Sequence, residues 1–512
     1  MILLRHEEQE DVFAMAHEEF DDIIQFLRDP KTREISHADL EAEITSRGRE
    51  LMLKMFQSHV DSRGQGSAAT LPFGADGVER TRQRLHERGL STVFGEVRIR
   101  RYGYGSEGAK SLHPLDAELN LPVEEYSLGV RRMAADAAAQ VSFDDTVSML
   151  AARTGKVIGK RQVEELVQKA AVDFDTFYTV NSPAPNEPGS AILVISADGK
   201  GVVMRPDDLR EPTRRAAKAQ EHKLGKRLSR GEKNNRKRMA TVAAVYTVAP
   251  FERTPEQVAR TMAPLHEPEQ KRPPVENKRV WASLTKSPEE VLDEAFLEGL
   301  RRDPERQKKW VGLVDGNAQQ LKLLKQLSHK HQVEITNVMD IIHVAEYLWD
   351  ASTVFCDEAS RDRERWVSER LANVLRGHAA QVAAGMRRSA TLRKLSAKQR
   401  KPADDAARYL LNHKQYMHYD EYLANGFPIA TGVIEGACRH LVCDRMDGVA
   451  RWSLKGAEAV LRMRALRSSG DFDSYWEYHV KQEYQRNHVA QYADGKVIPV
   501  KGRSPPMLEL VK

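Results

Sequence analysis

The strongest constraint on the fold comes from two apolar runs that each end in an aspartate and continue directly into a helical pattern. The run in KKWVGLVDGNAQQLKLL (308–324) ends at Asp315, and the run in VEITNVMDIIHVAEYLWDA (333–351) ends at Asp340. A short apolar run followed by helical periodicity is typical of strand–helix units in an α/β sheet. Ligands bind at the carboxyl ends of strands in open α/β sheets. Of these two candidate aspartates Asp315 is favoured as the site residue, because its Asp-Gly step can turn the chain sharply and leave the carboxylate free. Asp340 runs directly into a helix, where it can cap the helix or orient His343.

Three more strands are predicted upstream of these units. AILVISADGKGVVMR (191–205) predicts an apolar strand, a turn at Asp198 and Gly199, and a second strand, while MATVAAVYTVAP (239–250) predicts a third. Three strands that can pair antiparallel, followed by strand–helix units, favour an RNase H-like mixed sheet. The helical pattern over 341–424 indicates an all-helical insertion, so the expected fold class is α/β with an added α part.

Composition breaks divide the chain into five segments, with a proline-rich linker at 181–190. Amphipathic helices are expected in 1–60, and the alternation in TVFGEVRIRRYGYG (92–105) predicts a short hairpin. The predicted segments are a mainly helical N-terminal region with this β-hairpin (1–122), a helix-turn-helix DNA-binding domain (123–180), the first part of the catalytic core (191–344), an all-helical insertion domain (345–425) and the last part of the core with the C-terminal tail (426–512).

The helix-turn-helix is predicted from SFDDTVSMLAARTGKVIGKRQVEELVQKAA. Ser142 is placed to cap a helix over 142–153, a glycine-containing turn follows, and a second helix is expected to start near Lys160. The second helix of such a motif can enter the major groove of DNA. Lys160 and Arg161 at its start are therefore candidate DNA contacts.

Charge is distributed unevenly along the chain. Residues 1–50 contain 14 acidic and 6 basic residues, whereas residues 214–238 contain 11 basic and 2 acidic ones. Most charge runs are solvated surface, but dense basic clusters in an otherwise acidic chain favour a polyanionic partner. The candidate DNA contacts in the basic segment are Lys226, Arg227, Arg230, Arg236, Lys237 and Arg238.

Carboxylates at strand ends predict a metal site. Asp198 and Asp315 each follow an apolar strand, so they are expected to converge, although Asp-Gly is also a common turn dipeptide. Converging carboxylates repel one another unless a cation neutralises them, and hard oxygen ligands select Mg²⁺ or Mn²⁺. Two such ions about 4 Å apart can clamp the attacking and leaving oxygens of a phosphoryl transfer.

Glu435 opens a helical segment in TGVIEGACRHLVCDRMDGVARW (431–452). A glutamate in a first helical turn complements the helix dipole without any further role. Alternatively, it is the third member of the carboxylate set.

The motifs SADGKGV, LVDGNA and GVIEGACRHLV together resemble the DDE transposases of ISKra-group insertion sequences, which are related to the Mutator-like superfamily. The resemblance extends over essentially the whole chain, including LHPLDAELNLP (112–122). It implies that Asp198, Asp315 and Glu435 form the catalytic, metal-binding triad, and that Asp340 and His343 form an Asp-x-x-His pair that supports the site or positions DNA. It also implies binding to the terminal inverted repeats of a bacterial element, DNA cleavage and strand transfer into target DNA, by a homodimer or larger assembly.

Three residues beyond Glu435 are further candidate DNA contacts. Arg439 and Arg445 would lie beside the phosphates of a bound DNA end. Trp452 would stack on an unpaired base, because aromatic rings are sequence-tolerant platforms for bases, or it packs in the core.

Two other classes of function remain open from the sequence. One is a structure-selective nuclease on the same scaffold, and the other is a non-enzymatic helix-turn-helix regulator. The three cysteines of so long a chain suit a reducing cytosol, and no run of eighteen apolar residues is present. The chain is therefore expected to be cytoplasmic, associated with the nucleoid and without a membrane partner.

The basic segment 214–238 is expected to contact backbone phosphates without reading sequence. Replacing four of its Lys and Arg residues by Gln should flatten the salt dependence of DNA binding by about 0.9 slope units for each phosphate that is no longer neutralised. Filter binding or fluorescence anisotropy between low and moderate salt measures this slope. A lower affinity with an unchanged slope would mean that the segment acts through folding instead.

Overall fold

The computed structural model describes residues 11–180, 191–219, 236–261, 271–357, 360–448 and 450–501. The chain forms two compact units, one made of Met1–Phe177 with Asp473–Lys512 and the other of Tyr178–Phe472. The fold is mixed α/β, with one three-stranded antiparallel sheet and one five-stranded mixed sheet in the described residues. The five-segment division remains a prediction.

The first unit begins with two long helices, α1 (Ala14–Arg28) and α2 (His37–Ser62), as the amphipathic pattern predicted. Its sheet consists of β1 (Arg82–Ser91), β2 (Glu96–Ser106) and β3 (Ala109–Leu112), in the order β1-β2-β3. The predicted hairpin exists, but its first strand precedes the segment from which it was predicted. Strand β1 was not predicted because nearly all of its first half is exposed and polar.

The first unit contains six more α-helices in the described residues, and two of them, over Phe143–Thr154 and Lys160–Ala170, agree with the predicted helical hairpin. The six helices are α3 (Pro114–Glu118), α4 (Leu128–Gln140), α5 (Phe143–Thr154), α6 (Lys160–Ala170), α7 (Phe174–Val180), which continues into the second unit, and, near the C-terminus, α20 (Phe472–Asn487). The side chain of Ser142 accepts a hydrogen bond from the backbone of Asp145, and Gly155 ends α5 with φ of 72°. Both ends of the predicted first helix, and the start of the second, are therefore confirmed within one residue.

Buried ion pairs hold α20 within the first unit. His479, which is fully buried, lies 2.7 Å from Asp173, and Arg131 lies 2.7 Å from Glu483. The sequence had grouped this helix with the segment 426–512, because its ion-pair partners are more than 300 residues away in the chain.

The second unit is built on the five-stranded sheet. Its strands are β4 (Ile192–Val203), β5 (Lys237–Val248), β6 (Val275–Ser283), β7 (Lys309–Val314) and β8 (Ile335–Met339). They lie in the order β6-β5-β4-β7-β8. The first three strands pair antiparallel, and β7 and β8 run parallel to β4.

Two strand predictions are corrected by this sheet. The expected turn at Asp198 and Gly199 is wrong, because both residues lie within β4, where Asp198 pairs with Val242 of β5. The long ladder to β5 provides backbone partners for the Asp-Gly step, so the chain continues straight. The third antiparallel strand is β6, which was not predicted because its first residues are polar and exposed.

The second unit contains twelve α-helices in the described residues. They are α8 (Glu211–Lys218), α9 (Pro255–Thr261), α10 (Pro288–Arg302), α11 (Ala318–His331), α12 (Ile341–Ser352), α13 (Arg361–Leu375), α14 (Ala379–Leu392), α15 (Ala397–His413), α16 (Tyr419–Ala424), α17 (Gly432–Ala437), α18 (Asp444–Met446) and α19 (Leu454–Ser469). A six-residue π-helix, Cys438–Cys443, joins α17 to α18. Helices α12 to α16 fill the stretch that was predicted to be helical.

Membrane-spanning segments were sought among the helices of the described ranges. None of these helices is both long enough and apolar enough to cross a bilayer.

A buried carboxylate fastens α10 to the edge of the sheet. Glu298 is 4% exposed at its side chain and lies 2.5 Å from Arg279 of β6, 2.6 Å from Arg301 and 2.7 Å from Arg302. Burial alone would raise the pKa of Glu298, but the guanidinium groups, Arg279 first, outweigh it and lower that pKa to about 2.

Replacing Glu298 by Gln should destabilise the protein by about 3–5 kcal/mol at pH 7, because partly buried cations lose their anion. The folded pKa lies below the ordinary value of 4.5, so this stabilisation is complete above that pH and is lost as pH falls towards 2. Urea unfolding of both proteins at pH 7 and pH 3 should therefore show a smaller difference at pH 3. Exposed Glu289 on the same helix provides the control, Glu289→Gln, and an equal gap at both pH values would contradict the ion-pair assignment.

Candidate active site

Asp198 lies in β4, just beyond the end of the parallel ladder to β7. The last parallel pair joins Ser196 to Leu313, so Asp198 and Asp315 each follow that pair by two residues. Their backbones therefore occupy equivalent positions at one edge of the sheet. This places the two aspartates side by side in register, although Asp198 does not end its strand as the sequence predicted.

Three groups of the protein contact the carboxylate oxygens of Asp198. The ammonium of Lys200 lies 2.9 Å from its Oδ2, and the thiol of Cys438 donates to the same oxygen over 3.2 Å. The backbone N–H of Gly199 donates to Oδ1. Burial raises the pKa of the Cys438 thiol, so it remains a donor, and the hydrogen bond between Lys200 and Asp198 raises the pKa of Lys200.

Asp315 ends β7 and begins a sharp turn. Its side chain accepts a hydrogen bond from the backbone of Asn317 over 2.8 Å, and its backbone carbonyl accepts one from the Tyr409 hydroxyl over 3.0 Å. Gly316 has φ of 97°, in the left-handed region that favours glycine. The Asp-Gly step thus turns the chain as predicted and leaves Asp315 partly exposed at the strand end.

Asp340 ends β8 and is completely buried. Its backbone N–H donates to the carbonyl of Val314 over 2.8 Å, which ties the end of β8 to the end of β7. Its Oδ1 accepts from the backbone of Ile342 and caps α12, as predicted. Its Oδ2 accepts a hydrogen bond from the hydroxyl of Thr431.

Thr431 connects Asp340 to the glutamate. It precedes α17 directly, and its hydroxyl lies 3.3 Å from Oε1 of Glu435 and within hydrogen-bonding distance of Asp340. Nearby, the N–H of Ile341 donates to the carbonyl of Ile429 over 2.9 Å. These bonds set the start of α17 against the end of β8.

Asp340, His343 and Glu435 form a group that can hold a metal ion. One ligand atom from each residue lies within 4.8 Å of the others, with Asp340 buried, His343 half-buried and Glu435 exposed. Two carboxylates and an imidazole suit divalent cations of hard or borderline character. The group therefore has one anchored ligand inside the protein and one ligand open to solvent.

The electrostatics of Asp340 favour a cation at this position. Burial raises the pKa of Asp340, and the nearby carboxylate of Glu435 adds to the rise, while the Thr431 hydroxyl and the helix N-terminus oppose it. The ionised carboxylate is thus costly without a positive partner. A divalent ion between Asp340 and Glu435 would supply that partner.

The structure brings together part of the predicted catalytic set. Glu435 meets Asp340 and His343, which the resemblance had placed in a supporting role. Asp198, Asp315 and Glu435, all in the described ranges, are not a group in which every ligand atom lies within 4.8 Å of the others. Asp198 and Asp315 nevertheless share the same sheet edge as Asp340.

The candidate DNA contacts at α6 are exposed. The side chain of Lys160 is 51% exposed and lies 2.9 Å from Asp144, and that of Arg161 is 87% exposed and lies 3.0 Å from Glu165. Both ion pairs are at the surface, where such pairs contribute little to stability.

The candidate DNA contacts of the basic segment that the structure describes are less exposed than Lys160 and Arg161. Arg236 is 7% exposed, and Arg238 donates to the carbonyl of Leu284 over 2.8 Å, so both guanidinium groups are directed into the protein. Lys237 lies 3.9 Å from Asp447. Lys226, Arg227 and Arg230 lie outside the described residues.

Of the three candidates beyond Glu435, only Arg439 is largely exposed, at 76% of its side chain. Trp452 is 5% exposed, its backbone pairs with Val203, and the guanidinium of Arg445 lies 4.8 Å from its ring centroid. Its ring is therefore covered by protein, which favours the packing role that the sequence had left open.

Sequence reasoning missed Lys200, Thr431 and Cys438. Lys200 lies two residues after Asp198 and therefore on the same face of β4. Thr431 lies four residues before Glu435, a spacing that brings side chains together on a helix. These two spacings were detectable signals, whereas the contact of Cys438 with Asp198 spans 240 residues and was not.

Replacing Asp340 by Asn should keep the fold and abolish stabilisation by metal. The amide oxygen can still accept from the N–H of Ile342 and the amide NH2 can donate to the Thr431 hydroxyl, but the anionic ligand is removed. For the native chain, added Mn²⁺ should raise the melting temperature, because a bound ligand stabilises the folded state. The rise should weaken as pH falls through the raised pKa of Asp340.

Differential scanning calorimetry with and without Mn²⁺ measures this effect. Asp350→Asn is the matched control, since Asp350 is exposed on the same helix. An equal metal-induced rise in Asp340→Asn and in the native chain would exclude this group as the metal site.

Comparison of the chain with protein-family models found no match, and comparison with curated proteins found no similar sequence.

Proposed function

We propose that this chain is a DDE transposase of a bacterial insertion sequence, which cleaves DNA at terminal inverted repeats and joins the freed end to target DNA. The observation that carries the proposal is the gathering of acidic residues at one sheet edge. Asp198, Asp315 and Asp340 lie at this edge on three adjacent strands, and α17 delivers Glu435 to Asp340. Phosphoryl transfer by metal ions needs this kind of acidic cluster.

The topology supports an RNase H-like core as part of the proposal. Such a core has three antiparallel strands followed by two parallel ones, in the order 3-2-1-4-5. The strand order and directions of the sheet β6-β5-β4-β7-β8 match this arrangement. The all-helical stretch α12–α16 corresponds to an insertion between the fifth strand and the glutamate helix.

Mg²⁺ or Mn²⁺, as two ions, is the proposed cofactor. Asp340, His343 and Glu435 would hold one ion, and Asp198 with Asp315 would complete the site once Lys200 releases Asp198. When bound, the ions would activate water and stabilise charge on the transferred phosphoryl group. Lys200 in the resting arrangement supplies the positive charge that Asp198 otherwise lacks.

His343 has the geometry for moving a proton. Its Nδ1 lies 2.9 Å from Glu346, and its side chain is 35% exposed beside the acidic cluster. As an alternative to holding the ion, its imidazole can give a proton to a leaving oxygen or position a phosphate. No covalent enzyme intermediate is needed, so no Ser, Cys or Tyr nucleophile is assigned.

DNA is the proposed partner, bound by a homodimer or larger assembly. The basic clusters at 214–238 and 387–401, with Lys160 and Arg161 of α6, supply positive charge for phosphates. Pairing the two ends of an element requires at least two protomers. A cytoplasmic, nucleoid-associated location follows from that partner.

Asp198→Ala, Asp315→Ala and Glu435→Ala should each abolish cleavage of end DNA and leave its binding within a few-fold. Each change removes a carboxylate without altering the helix-turn-helix or the basic segments. Gel assays of cleavage, with anisotropy for binding, measure both properties, and Asp350→Ala is the control. Native cleavage rates in any of the three variants would remove that residue from the triad.

A strand-transfer assay with a pre-cleaved end separates this proposal from its alternatives. A transposase should join that end to a target plasmid, whereas a structure-selective nuclease would cleave without joining. A non-enzymatic regulator would bind DNA without divalent metal and tolerate the loss of every carboxylate named.

Thiol substitution distinguishes the two candidate second aspartates. Asp315→Cys should lose activity in Mg²⁺ and regain part of it in Mn²⁺, which accepts softer ligands. Asp340→Cys should show the same rescue if Asp340 holds an ion and no rescue if Asp340 only positions the site. Because Asp340 shares the metal group with Glu435, rescue at Asp340 alone would redraw the triad as Asp198, Asp340 and Glu435.

A further inference from the structure

The two N-terminal helices carry large apolar side chains that stay exposed in the described structure. Phe20 and Leu27 of α1 are 51% and 40% exposed, and Ile44, Met52 and Met55 of α2 are 39%, 45% and 44% exposed. A soluble surface tolerates single apolar residues, but a contiguous set marks an interaction site. The question is therefore whether these five side chains share one face.

Helices α1 and α2 pack antiparallel. Lys54 lies 2.6 Å from Glu19, and the guanidinium of Arg47 lies 4.3 Å from the ring centroid of Phe26. Residues late in α1 thus meet residues early in α2. These contacts also fix which side of each helix faces the other.

Most of the exposed residues lie about a quarter-turn from those contacts on each helix. A helix turns by about 100° per residue. Phe20 and Leu27 therefore lie about 100° around α1 from the contact residues Glu19 and Phe26, in the direction in which residue numbers increase. Ile44 and Met55 follow the contact residues of α2 in this direction, whereas Met52 lies about 150° from the α2 contacts in the same direction. Since the helices run in opposite directions, the same rotation brings both sets to one side of the pair.

Most of the opposite side of α2 is already in use, and the packed side begins at Phe56, four residues after Met52. Gln57 donates to the carbonyl of Arg98 in β2 over 2.9 Å, and Leu53 and Phe56 pack against the core of the first unit. The five exposed residues therefore form a separate face, which we call the hairpin face (Phe20, Leu27, Ile44, Met52 and Met55).

Gly48 lies at the centre of the α2 part of this face. A glycine inside a helix is unfavourable relative to alanine, and a Cβ built at Gly48 meets no atom within 4 Å. Contacts within the described part of the chain therefore give no reason for glycine here. Ile44 lies four residues before it and Met52 four residues after it, on the same side of the helix.

This arrangement is self-complementary about Gly48. In a two-fold interface, the same patch is used on both subunits, and residue i of one contacts residue j of the other. An axis at Gly48 would pair Ile44 of one copy with Met52 of the second and let the two α2 backbones approach closely. A different partner would not require equal spacing on both sides of the glycine.

We propose that the hairpin face binds a second copy of this chain, so that the two helical pairs form an antiparallel four-helix bundle across α2. The 26 residues of α2 span about 39 Å and α1 about 22 Å, with a helix width of about 10 Å. The face thus covers on the order of 600 Å² in projection, which approaches the roughly 800 Å² per partner of a stable interface. The proposal requires neither the metal site nor DNA.

Charge argues against DNA as the occupant. Residues 1–50 carry 14 acidic and 6 basic residues, so this region repels a polyanion. It also repels a second copy, and salt screens that repulsion. Association through the hairpin face should therefore strengthen with salt, opposite to DNA binding, which weakens.

Sedimentation of the full chain without DNA or metal tests the proposal. We expect a dimer at micromolar concentration whose dissociation constant falls when NaCl rises from about 50 to about 300 mM, as the Debye length shortens. Met52→Glu should raise the dissociation constant at least tenfold, whereas Met15→Glu should not. Met15 is 52% exposed on α1 but lies about 140° around the helix from Phe20, away from the hairpin face.

A second variant guards against loss of folding. Gly48→Leu places a good helix former at a position where an added Cβ meets no described atom within 4 Å. Its melting temperature, measured at a protein concentration below the dissociation constant, should therefore not fall. It should nevertheless weaken association severalfold, because the backbones can no longer approach. An equal dissociation constant for Gly48→Leu and the native chain would overturn the crossing at Gly48.

Cross-linking locates the axis directly. Gly48→Cys should give a disulfide-linked dimer under mild oxidation, and Met15→Cys should not. The native chain, with Cys356, Cys438 and Cys443, controls for its own thiols. A native chain that stays monomeric at tens of micromolar, or identical behaviour of the Met52→Glu and Met15→Glu variants, would overturn the proposal.

Discussion

The burial of the Asp340 carboxylate is the constraint on which the arrangement of the site depends. A carboxylate without solvent is tolerated only when hydrogen bonds or a cation compensate for the lost hydration. Here the N-terminus of α12 and the hydroxyl of Thr431 supply the hydrogen bonds. The chain is therefore held so that the end of β8 and the start of α17 meet at one point, although they are far apart in the sequence.

The same constraint explains why Glu435 is where it is. Thr431 contacts both carboxylates, so the hydrogen bond that compensates for Asp340 also fixes the helix that carries Glu435. Tyrosines of the helical stretch act in parallel, since the hydroxyls of Tyr409 and Tyr419 donate to the backbone carbonyls of Asp315 and Met339. The helical stretch and the strand ends thus stabilise each other, and the acidic edge is positioned by groups outside the sheet.

The carboxylates of Asp198 and Asp340 at the acidic edge have different electrostatic environments. Asp198 is neutralised by the ammonium of Lys200 and stays partly exposed, whereas Asp340 is buried and its pKa is raised. An ion pair at a partly exposed position is weak and exchangeable, while a buried carboxylate gains most from a cation that arrives. In the proposed site, a metal ion can replace Lys200 at Asp198, and a metal ion that binds at Asp340 stabilises its buried carboxylate.

The sequence by itself determined the local elements and the aspartates at the strand ends. Apolar runs predicted β7 and β8, Ser142 and Gly155 set the ends of α5, and the Asp-Gly step at Asp315 turned as expected, because caps and turns depend on neighbouring residues. At Asp198 the same dipeptide failed as a turn signal, since the ladder to β5 outweighed the local preference. Only the tertiary structure decided that β6 completes the sheet, that α20 belongs with the first unit and that Asp340 and His343 meet Glu435. Those outcomes depend on contacts between residues tens to hundreds of positions apart, which no local pattern encodes.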